Sequence, residues 1–356
     1  MSKQLKQPAP PQLMAIDLFA GCGGLTLGLK HAGFNVVAAV EVNSKAAATY
    51  RENHSTTKVF LEDIRKLDPR SMRKTLGLRR GELALLAGCP PCQGFSRLKT
   101  KNGARPNSDS QNGLIHEFSD FVREFRPKCL MLENVPQLES TAEFEKFKND
   151  IRALGYVDRF DILDVADHGV AQRRKRFIYI ASRVGLIALA PPLREKFTVR
   201  DCIGHLPKAG DSLDQLHDLP ESRSERVKAI MALLPPDGGS RSDLPSSMQL
   251  ACHKKINGFA DVYGRMAWDR VAPTITSGCN NPSKGRFVHP VECRAITLRE
   301  AAMLQGFPKT YRFLISHGKE SIALMIGNAL PPPFIHRHAA MISAHLTIPR
   351  SPKMWG

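Results

Sequence analysis

The sequence predicts an α/β protein with a doubly wound sheet of buried parallel strands and a second, smaller, loop-rich domain. Between residues 13 and 182, short apolar runs bounded by turn residues alternate with stretches of helical spacing. Such apolar runs are typical of parallel strands, because helices cover both faces of their sheet. After residue 183, proline, glycine, serine and aspartate become frequent, as in "LPPDGGSRSDLPSS" at 234–247, and the periodicity fades.

The predicted elements follow in βα order. The first apolar run ends in Asp17, a glycine-rich turn follows, and an amphipathic helix closes at Gly33. Further strands are predicted at 34–41, 58–64, 82–88, 128–135, 158–169 and 176–183, and helices at 45–54 and 144–156. A helix is predicted over 296–308, and then a short strand, a turn and a C-terminal helix within 321–346.

Composition indicates a partner class. The chain has 356 residues, and 51 Lys and Arg against 34 Asp and Glu give a net charge of +17. Such a field favours a polyanion, usually nucleic acid, although solvated lysines alone are the competing interpretation. Eight irregularly spaced cysteines indicate reduced thiols rather than a disulfide scaffold. No apolar run approaches the roughly 18 residues of a membrane span, and no signal peptide is recognised, so a protein of the cytoplasm is predicted.

A glycine loop marks the first candidate site. "DLFAGCGG" at 17–24 follows a strand and opens a helix, and glycines there let a ligand approach the backbone closely. The next strand ends in Glu41, whose two oxygens suit the hydroxyl groups of a ribose. An adenosine-containing cofactor is therefore predicted, with a tight structural turn as the alternative.

The segment "GCPPCQGFS" at 88–96 contains two cysteines, for which three explanations compete. A redox pair has the right spacing, and a zinc site would need a second Cys/His pair that the sequence does not offer. The third is a nucleophilic Cys92 at the carboxyl end of a strand, where ligands bind in open α/β sheets. A free thiol is largely protonated at neutral pH, so it would need a nearby cation, such as the "QRRKR" run at 172–176.

The motifs together resemble a known family. "DLFAGCGG", "PPCQGFS", "ENV", "QRRKRF", "RVAPTIT", "REAAMLQGFP" and "IGNALPP" occur in that order. This set is similar to the DNA (cytosine-5)-methyltransferases of the single-chain bacterial type, over most of residues 13–345. The resemblance implies an S-adenosylmethionine-dependent methyltransferase sheet of Rossmann-like type. It also implies a catalytic domain at 13–190 plus 309–347 and a target-recognition domain with its hinge at 191–308. Residues 1–12 are rich in proline and glutamine, and this composition predicts a disordered segment.

The resemblance implies S-adenosyl-L-methionine as the cofactor. Glu41 would bind the ribose, and Asp63 with Ile64 would hold the adenine. The remaining expected cofactor residues lie in the glycine loop, beside it and near the C-terminus: Phe19, Ala20, Gly21, Cys22, Gly23, Gly24, Val42, Pro91, Asn328 and Ala329. No metal is expected.

The resemblance also assigns catalytic roles. Cys92 corresponds to the thiol that adds to carbon 6 of cytosine and so makes carbon 5 nucleophilic. Glu133 corresponds to the acid that holds ring N3 and the exocyclic amine, and it must carry a proton for part of the cycle. Arg174 and Arg176 correspond to the arginines that hold the ring carbonyl and neighbouring groups. The target base must leave the duplex to be reached.

Duplex DNA is the expected partner. Residues 96–113 are predicted to be a mobile loop that closes on DNA, and candidate contacts there and in the smaller domain are Ser96, Lys99, Lys101, Arg105, Arg241, Lys254, Lys255 and Arg265. A monomer associated with the bacterial nucleoid is predicted, with a cognate restriction endonuclease as a candidate functional partner. Two alternatives stay open: a tRNA cytosine-5 methyltransferase and a catalytically silent DNA-binding relative.

Overall fold

A seven-stranded mixed sheet forms the centre of the protein. The computed structural model describes residues 12–91, 113–249 and 261–348. In these residues the strand order is β3-β2-β1-β4-β5-β7-β6. The strands are β1 Met14–Leu18, β2 Asn35–Glu41, β3 Lys58–Leu61, β4 Leu85–Gly88, β5 Cys129–Asn134, β6 Val157–Asp164 and β7 Lys175–Ser182.

One strand departs from the predicted parallel arrangement. β1 to β5 pair in parallel, whereas β7 runs antiparallel to both β5 and β6. Only residues 165–174 separate β6 from β7, and they include a 3₁₀-helical turn at Val165–His168. A parallel return needs a crossover of a dozen or more residues, so this short connection forces β7 to run back along β6. The α/β prediction is confirmed, and the all-parallel prediction is wrong for β7.

Helices cover both faces of the sheet. They are α1 Gly24–His31, α2 Ser44–Asn53, α3 Pro69–Thr75, α4 Leu114–Phe125, α5 Ala142–Ala153, α6 Val199–Ile203, α7 Glu225–Leu233, α8 Leu298–Leu304, α9 Lys319–Asn328 and α10 Pro332–Thr347. Ile16 and Leu18 pack towards the phenylalanines of α4 and α5, whereas Ala15, which precedes them, packs towards α1 and α10. This alternation is the period of two expected for a strand buried on both faces.

The short strand predicted at the start of 321–346 is wrong, because those residues belong to α9. Ile322, Ala323, Met325 and Ile326 are buried, and this spacing places them on one face of a helix. A brief apolar run does not distinguish a strand from a buried helix. The face packs into a cluster that also contains Cys22, Ala46, α6 and α8.

The connection after β6 is also more helical than predicted, since the strand expected over 158–169 ends at Asp164. Beyond residue 183 the structure consists of short helices, loops and isolated bridges, one of which joins Gln172 to Ala272. The domain boundaries at 190 and 308 remain predictions. In the part of the chain that the structure describes, no helix combines the length and apolar character needed to cross a bilayer.

Candidate active site

The candidate site lies where β1, β2, β4 and β5 end. These neighbouring parallel strands terminate at Leu18, Glu41, Gly88 and Asn134, so the segments that follow them share one edge of the sheet. The glycine loop, Glu41, the Pro90–Pro91 turn and Glu133 therefore come together there. Ligands of open α/β sheets bind at this kind of edge.

The glycine loop makes a sharp, closely packed turn. Phe19, Gly21 and Gly23 all have positive φ, at 63°, 55° and 100°. A Cβ on Gly23 would lie 2.5 Å from His54 Nε2, and one on Gly24 would lie 2.5 Å from the Leu330 carbonyl oxygen. A Cβ on Gly21, in contrast, would meet nothing within 4 Å. The loop is thus packed on its inner side and leaves room for a ligand beside Gly21.

Glu41 fastens the loop at its open side. Its Oε2 accepts a hydrogen bond from Gly21 N at 2.7 Å, and its Oε1 accepts one from Asn43 N at 2.7 Å. Each carboxylate oxygen has a second acceptor position, so two neighbouring hydroxyl groups could still be bound. The adjacent Val42 is 67% exposed, which leaves an apolar surface at the end of β2.

Asp63 and Ile64, the two residues expected to hold the adenine, lie in different environments. Arg65 binds both Asp63 oxygens, with its Nη2 2.5 Å from Oδ2. These hydrogen bonds lower the pKa of Asp63 to about 2. Ile64 is buried in the core between the sheet and α4. Asp63 is therefore a fixed carboxylate already engaged by Arg65, which the sequence did not indicate.

The C-terminal segment reaches the same loop. Asn328 is exposed at the end of α9, and Gln305 Nε2 donates to the Ala329 carbonyl oxygen at 2.5 Å. The close approach of Leu330 to Gly24 then brings this segment against the start of α1.

A buried network of polar side chains, which the sequence analysis did not predict, packs against the glycine loop. Thr26 Oγ1 donates to Asp17 Oδ2 at 2.7 Å and lies 2.8 Å from Tyr50 Oη. Tyr311 Oη donates to the Cys22 carbonyl oxygen at 2.5 Å, and His54 Nε2 lies 3.2 Å from the Gly23 carbonyl oxygen. Burial raises the pKa of Asp17 to about 7. Asp17 within an apolar strand was the one sequence signal for this network.

Glu133 is a deeply buried acid of the site, with only 1% of its surface exposed. Arg176 Nε lies 2.8 Å from Oε1, and the Cys89 thiol donates to Oε2 at 2.9 Å. Burial raises the pKa of Glu133, while Arg176, the thiol and Arg174 act in the opposite direction. A buried carboxyl with a raised pKa can act as a proton donor near neutral pH.

Arg174 has a different environment from the one predicted. Its Nη1 donates to the Ile275 carbonyl oxygen at 2.8 Å and its Nη2 to the Gly327 carbonyl oxygen at 2.9 Å. Burial lowers the pKa of this guanidinium to about 9. Both terminal nitrogens are occupied by backbone, so Arg174 joins three chain segments, and the prediction that it holds the ring carbonyl is not supported by its contacts.

Gln172, the first residue of "QRRKR", is also buried, whereas Arg173 and Lys175 are exposed. Gln172 Nε2 donates to Gln305 Oε1 at 2.7 Å, and its Oε1 accepts from Ile275 N at 2.8 Å. These contacts join the segment before β7 to Ile275 and to Gln305.

Two of the residues predicted to contact DNA, Arg265 and Arg241, have different surroundings. Arg265 is only 1% exposed, and its guanidinium donates to the carbonyl oxygens of His289, Glu292 and Met231. The prediction that it contacts DNA is therefore wrong, because backbone carbonyls enclose it. Arg241 lines a cavity of about 160 Å³ together with apolar side chains such as Ile230, Leu244 and Tyr263.

Several predicted residues lie outside the described ranges, in 92–112 and 250–260: Cys92, Ser96, Lys99, Lys101, Arg105, Lys254 and Lys255. The structure describes six cysteines, and no two of them form a disulfide with each other: Cys22, Cys89, Cys129, Cys202, Cys279 and Cys293. Within the same ranges, no group of three or more His, Cys, Asp or Glu side chains could hold a metal ion.

Comparisons with known proteins show which family the chain resembles. The family model for C-5 cytosine-specific DNA methylase matches residues 13–344. The Type II methylase M.HgiDII of Herpetosiphon aurantiacus is 36% identical over 335 residues, which cover 89% of this chain and 91% of that protein. The Type II methyltransferase M1.HphI of Haemophilus parahaemolyticus is 32% identical over 335 residues, covering 90% of this chain and 84% of that protein.

The fold has solved counterparts. The structure of an E. coli prophage-encoded DNA modification methyltransferase matches with a TM-score of 0.66 and 24% identity, over 94% of this chain and 99% of that one. The Entamoeba histolytica methyltransferase EhMeth matches with a TM-score of 0.63 and 17% identity, over 95% of this chain and 100% of that one. At these identities the likeness concerns the fold alone. The family match over most of the chain shows more: the chain belongs to the C-5 cytosine-specific DNA methylases and is a DNA (cytosine-5)-methyltransferase.

Proposed function

We propose that the protein transfers a methyl group from S-adenosyl-L-methionine to carbon 5 of a flipped-out cytosine in a specific duplex DNA sequence. The observation that carries the proposal is the buried Glu133, held between Arg176 and Cys89 at the sheet edge that also presents the glycine loop. The names of the Type II relatives support a role in restriction and modification, with a cognate endonuclease as functional partner.

The residues around the glycine loop fit the cofactor. The space beside Gly21, the two Glu41 oxygens and the exposed Val42 suit a backbone-bound polar end, a ribose and an apolar ring face, respectively. Ile64, Pro91, Asn328 and Ala329 would complete this wall. Asp63 would contact the adenine amine through an acceptor position that Arg65 leaves open. When bound, S-adenosylmethionine supplies an electrophilic methyl group.

Glu133 would act on the target base. Cytosine becomes susceptible to attack at carbon 6 when N3 is protonated or receives a strong hydrogen bond. The protonated carboxyl of Glu133 would donate to N3, and its other acceptor positions would receive the exocyclic amine. Its Oε1 accepts no well-formed hydrogen bond within the described ranges, which is consistent with a group reserved for a substrate.

Cys92 would add through its thiolate to carbon 6 of the ring. It follows Pro91 directly, and the Asn134 side chain ties the turn to β5 by donating to the Pro90 carbonyl oxygen at 2.9 Å. Arg176 would favour the thiolate by its charge, since a nearby cation lowers a thiol pKa. After methylation, a base removes the carbon 5 proton and the thiolate leaves.

The remaining assignments concern DNA. Ser96, Lys99, Lys101 and Arg105 would contact the duplex from the segment after Cys92, and Arg241, Lys254 and Lys255 would contact it from the proposed target-recognition domain. The protein would act as a monomer on the nucleoid in the cytoplasm.

Methyl transfer from labelled S-adenosylmethionine tests the proposal, with duplex DNA and tRNA as parallel substrates. Label in DNA only is expected, and bisulfite sequencing of DNA from expressing cells then gives the base and the target. Label in tRNA alone would establish the tRNA alternative, and none in either would establish the silent relative. A Cys92→Ser variant that still forms a covalent complex with 5-fluorocytosine DNA would contradict the assigned nucleophile.

A further inference from the structure

The function proposed above gives no role to Cys89, although this thiol contacts the acid at the centre of the site. Cys89 is half-buried, and its Sγ donates to Glu133 Oε2 at 2.9 Å. The contact follows from the sheet. Gly88 of β4 pairs with Leu132 of β5 in parallel, so the next residues along, Cys89 and Glu133, emerge side by side.

The Glu133 carboxyl is held from both sides. Cys89 approaches Oε2 from the end of β4, and Arg176 approaches Oε1 from the start of β7. The Asn134 hydrogen bond to Pro90 fixes the chain just beyond Cys89. The carboxyl therefore cannot rotate about its last bond without losing one of its two contacts.

We propose that Cys89 is a positioning residue for the methyl-transfer reaction: its thiol fixes the plane of the Glu133 carboxyl, so that the proton carried by Oε2 points at N3 of the substrate base. This inference rests on the proposed role of Glu133. Arg176 places its positive charge beside Oε1, so the proton that Glu133 takes up goes to Oε2. The thiol keeps its own proton throughout and acts only as a hydrogen-bond donor.

The choice of a thiol sets the strength of the contact. A thiol is a weak donor, so it orients the carboxyl while stabilising the charged form only slightly. A hydroxyl at the same place would stabilise the carboxylate more strongly, and a methyl group would not stabilise it at all. The other charged groups that face Glu133 in the described structure are Arg176 and Arg174, both cations that favour the carboxylate.

The test is the pH profile of single-turnover methylation of duplex DNA by Cys89→Ala, Cys89→Ser and the wild-type protein. In Cys89→Ala, the rate on the low-pH plateau falls about tenfold because the acid is no longer oriented. The alkaline limb, where Glu133 loses its proton, moves to higher pH in the same variant. Cys89→Ser keeps the plateau within about threefold, and its alkaline limb moves to lower pH.

Two controls separate positioning from general damage. Cys202→Ala removes another partly buried thiol, on α6, and leaves the profile unchanged. In a Glu133→Gln background, Cys89→Ala lowers the remaining rate by less than about twofold, because there is no acid left to orient. Cofactor affinity, measured by calorimetry, stays unchanged in all the Cys89 variants.

Each outcome decides the question. A Cys89→Ala profile identical to wild type would overturn the inference while leaving methylation and its dependence on Glu133 intact. An equal loss in the Glu133→Gln background would reduce Cys89 to a packing residue. If Cys89→Ala does not fold, the direction in which Cys89→Ser moves the alkaline limb decides instead. A wild-type protein that methylates no DNA would overturn the proposed function itself.

Discussion

At single residues, burial decides which of several similar side chains can act on a substrate. Arg174, Arg176 and Arg265 are all largely removed from solvent. Arg174 and Arg265 donate to backbone carbonyls of distant segments, whereas Arg176 donates to the carbonyl of its neighbour Lys175 and pairs with a carboxylate. A buried guanidinium needs several acceptors, and backbone carbonyls supply them when the chain closes around it. The contacts of Arg174 and Arg265 stabilise the fold, and the ion pair of Arg176 with Glu133 belongs to the candidate site.

Exchanging Arg174 or Arg176, two of the three arginines of "QRRKR", for methionine separates these roles. Arg174→Met leaves the Ile275 and Gly327 carbonyls without a donor, so the free energy of unfolding falls by about 3 kcal/mol. Arg176→Met removes the charge beside Glu133, and the methylation rate falls about a hundredfold. Urea denaturation and single-turnover rates measure the two effects. A stable Arg174→Met protein with a greatly reduced rate would show that this arginine touches the base after all.

A second prediction concerns Asp17 and the pH dependence of stability. Its folded pKa of about 7 lies above the ordinary value of 3.8, so the folded state retains a proton that the unfolded chain has lost. The stabilisation is complete below about pH 4 and disappears as the pH rises through 7. Asp17→Asn cannot lose a proton, so the stability of wild type relative to this variant must fall over the same interval.

Urea denaturation of wild type and Asp17→Asn at several pH values between 4 and 8 checks this sign, with the exposed Asp211→Asn as control. Parallel curves for wild type and Asp17→Asn would mean that Asp17 is ionised throughout.

Some residues of the candidate site could be predicted from the sequence and others could not. Glu133 lies at the end of one predicted strand and the glycine loop follows another. The structure brings them to one edge because parallel neighbours end together. Arg265 follows no such rule. Its burial depends on carbonyls contributed by residues 231, 289 and 292, whose meeting is a property of loops rather than of periodicity.

Among the elements, α9 and α1 show how local patterns depend on packing. The run that begins at Ser321 has too few residues to favour a strand or a helix on its own, and the cluster formed with α6 and α8 selects the helix. α1 begins at Gly24, whose missing side chain lets the carbonyl of Leu330 approach. Helix propensity does not predict such a close approach, and the glycine is its only sign in the sequence.

Gly24→Ala tests the junction between α1 and the C-terminal segment. The added methyl group would lie 2.5 Å from the Leu330 carbonyl oxygen, so one of the two segments must move. We expect cofactor affinity to fall by at least about tenfold, together with a loss of about 1–3 kcal/mol in stability. Gly155→Ala is the matched control. Its φ is +82° with nothing within 4 Å of the added atom, so it costs about 1 kcal/mol of stability and leaves cofactor binding intact.

Calorimetry and urea denaturation of both glycine variants measure these effects. Equal cofactor affinity in the two variants would show that the loop does not depend on this contact.

For the whole molecule, we expect the excess of 17 positive charges to favour association with DNA. Composition predicted a polyanionic partner, and the family membership agrees with it. The division into domains could not be settled in the same way. The apolar cluster that includes α8 and α9 spans the predicted boundary at 308, so a change in composition along the chain does not coincide with a break in packing.

The charge predicts a strong salt dependence. Contacts between lysine or arginine and phosphate release counterions, so the affinity for duplex DNA should fall at least about tenfold between roughly 50 and 200 mM salt. Fluorescence anisotropy with a labelled duplex measures this, with sucrose at matched osmolality as control. An affinity that does not vary with salt would mean that the positive charge lies away from the DNA.

The reversed direction of β7 determines which end of that strand reaches the ligand. A strand of eight residues spans about 26 Å. Had β7 followed its neighbours, Arg176 would have emerged at the far rim, roughly that distance from Glu133. Because β7 is inverted, the residues that enter it, rather than those that leave it, supply the cation. In proteins of this architecture, a basic motif at the start of the antiparallel strand is thus the place to look for the partner of the buried acid.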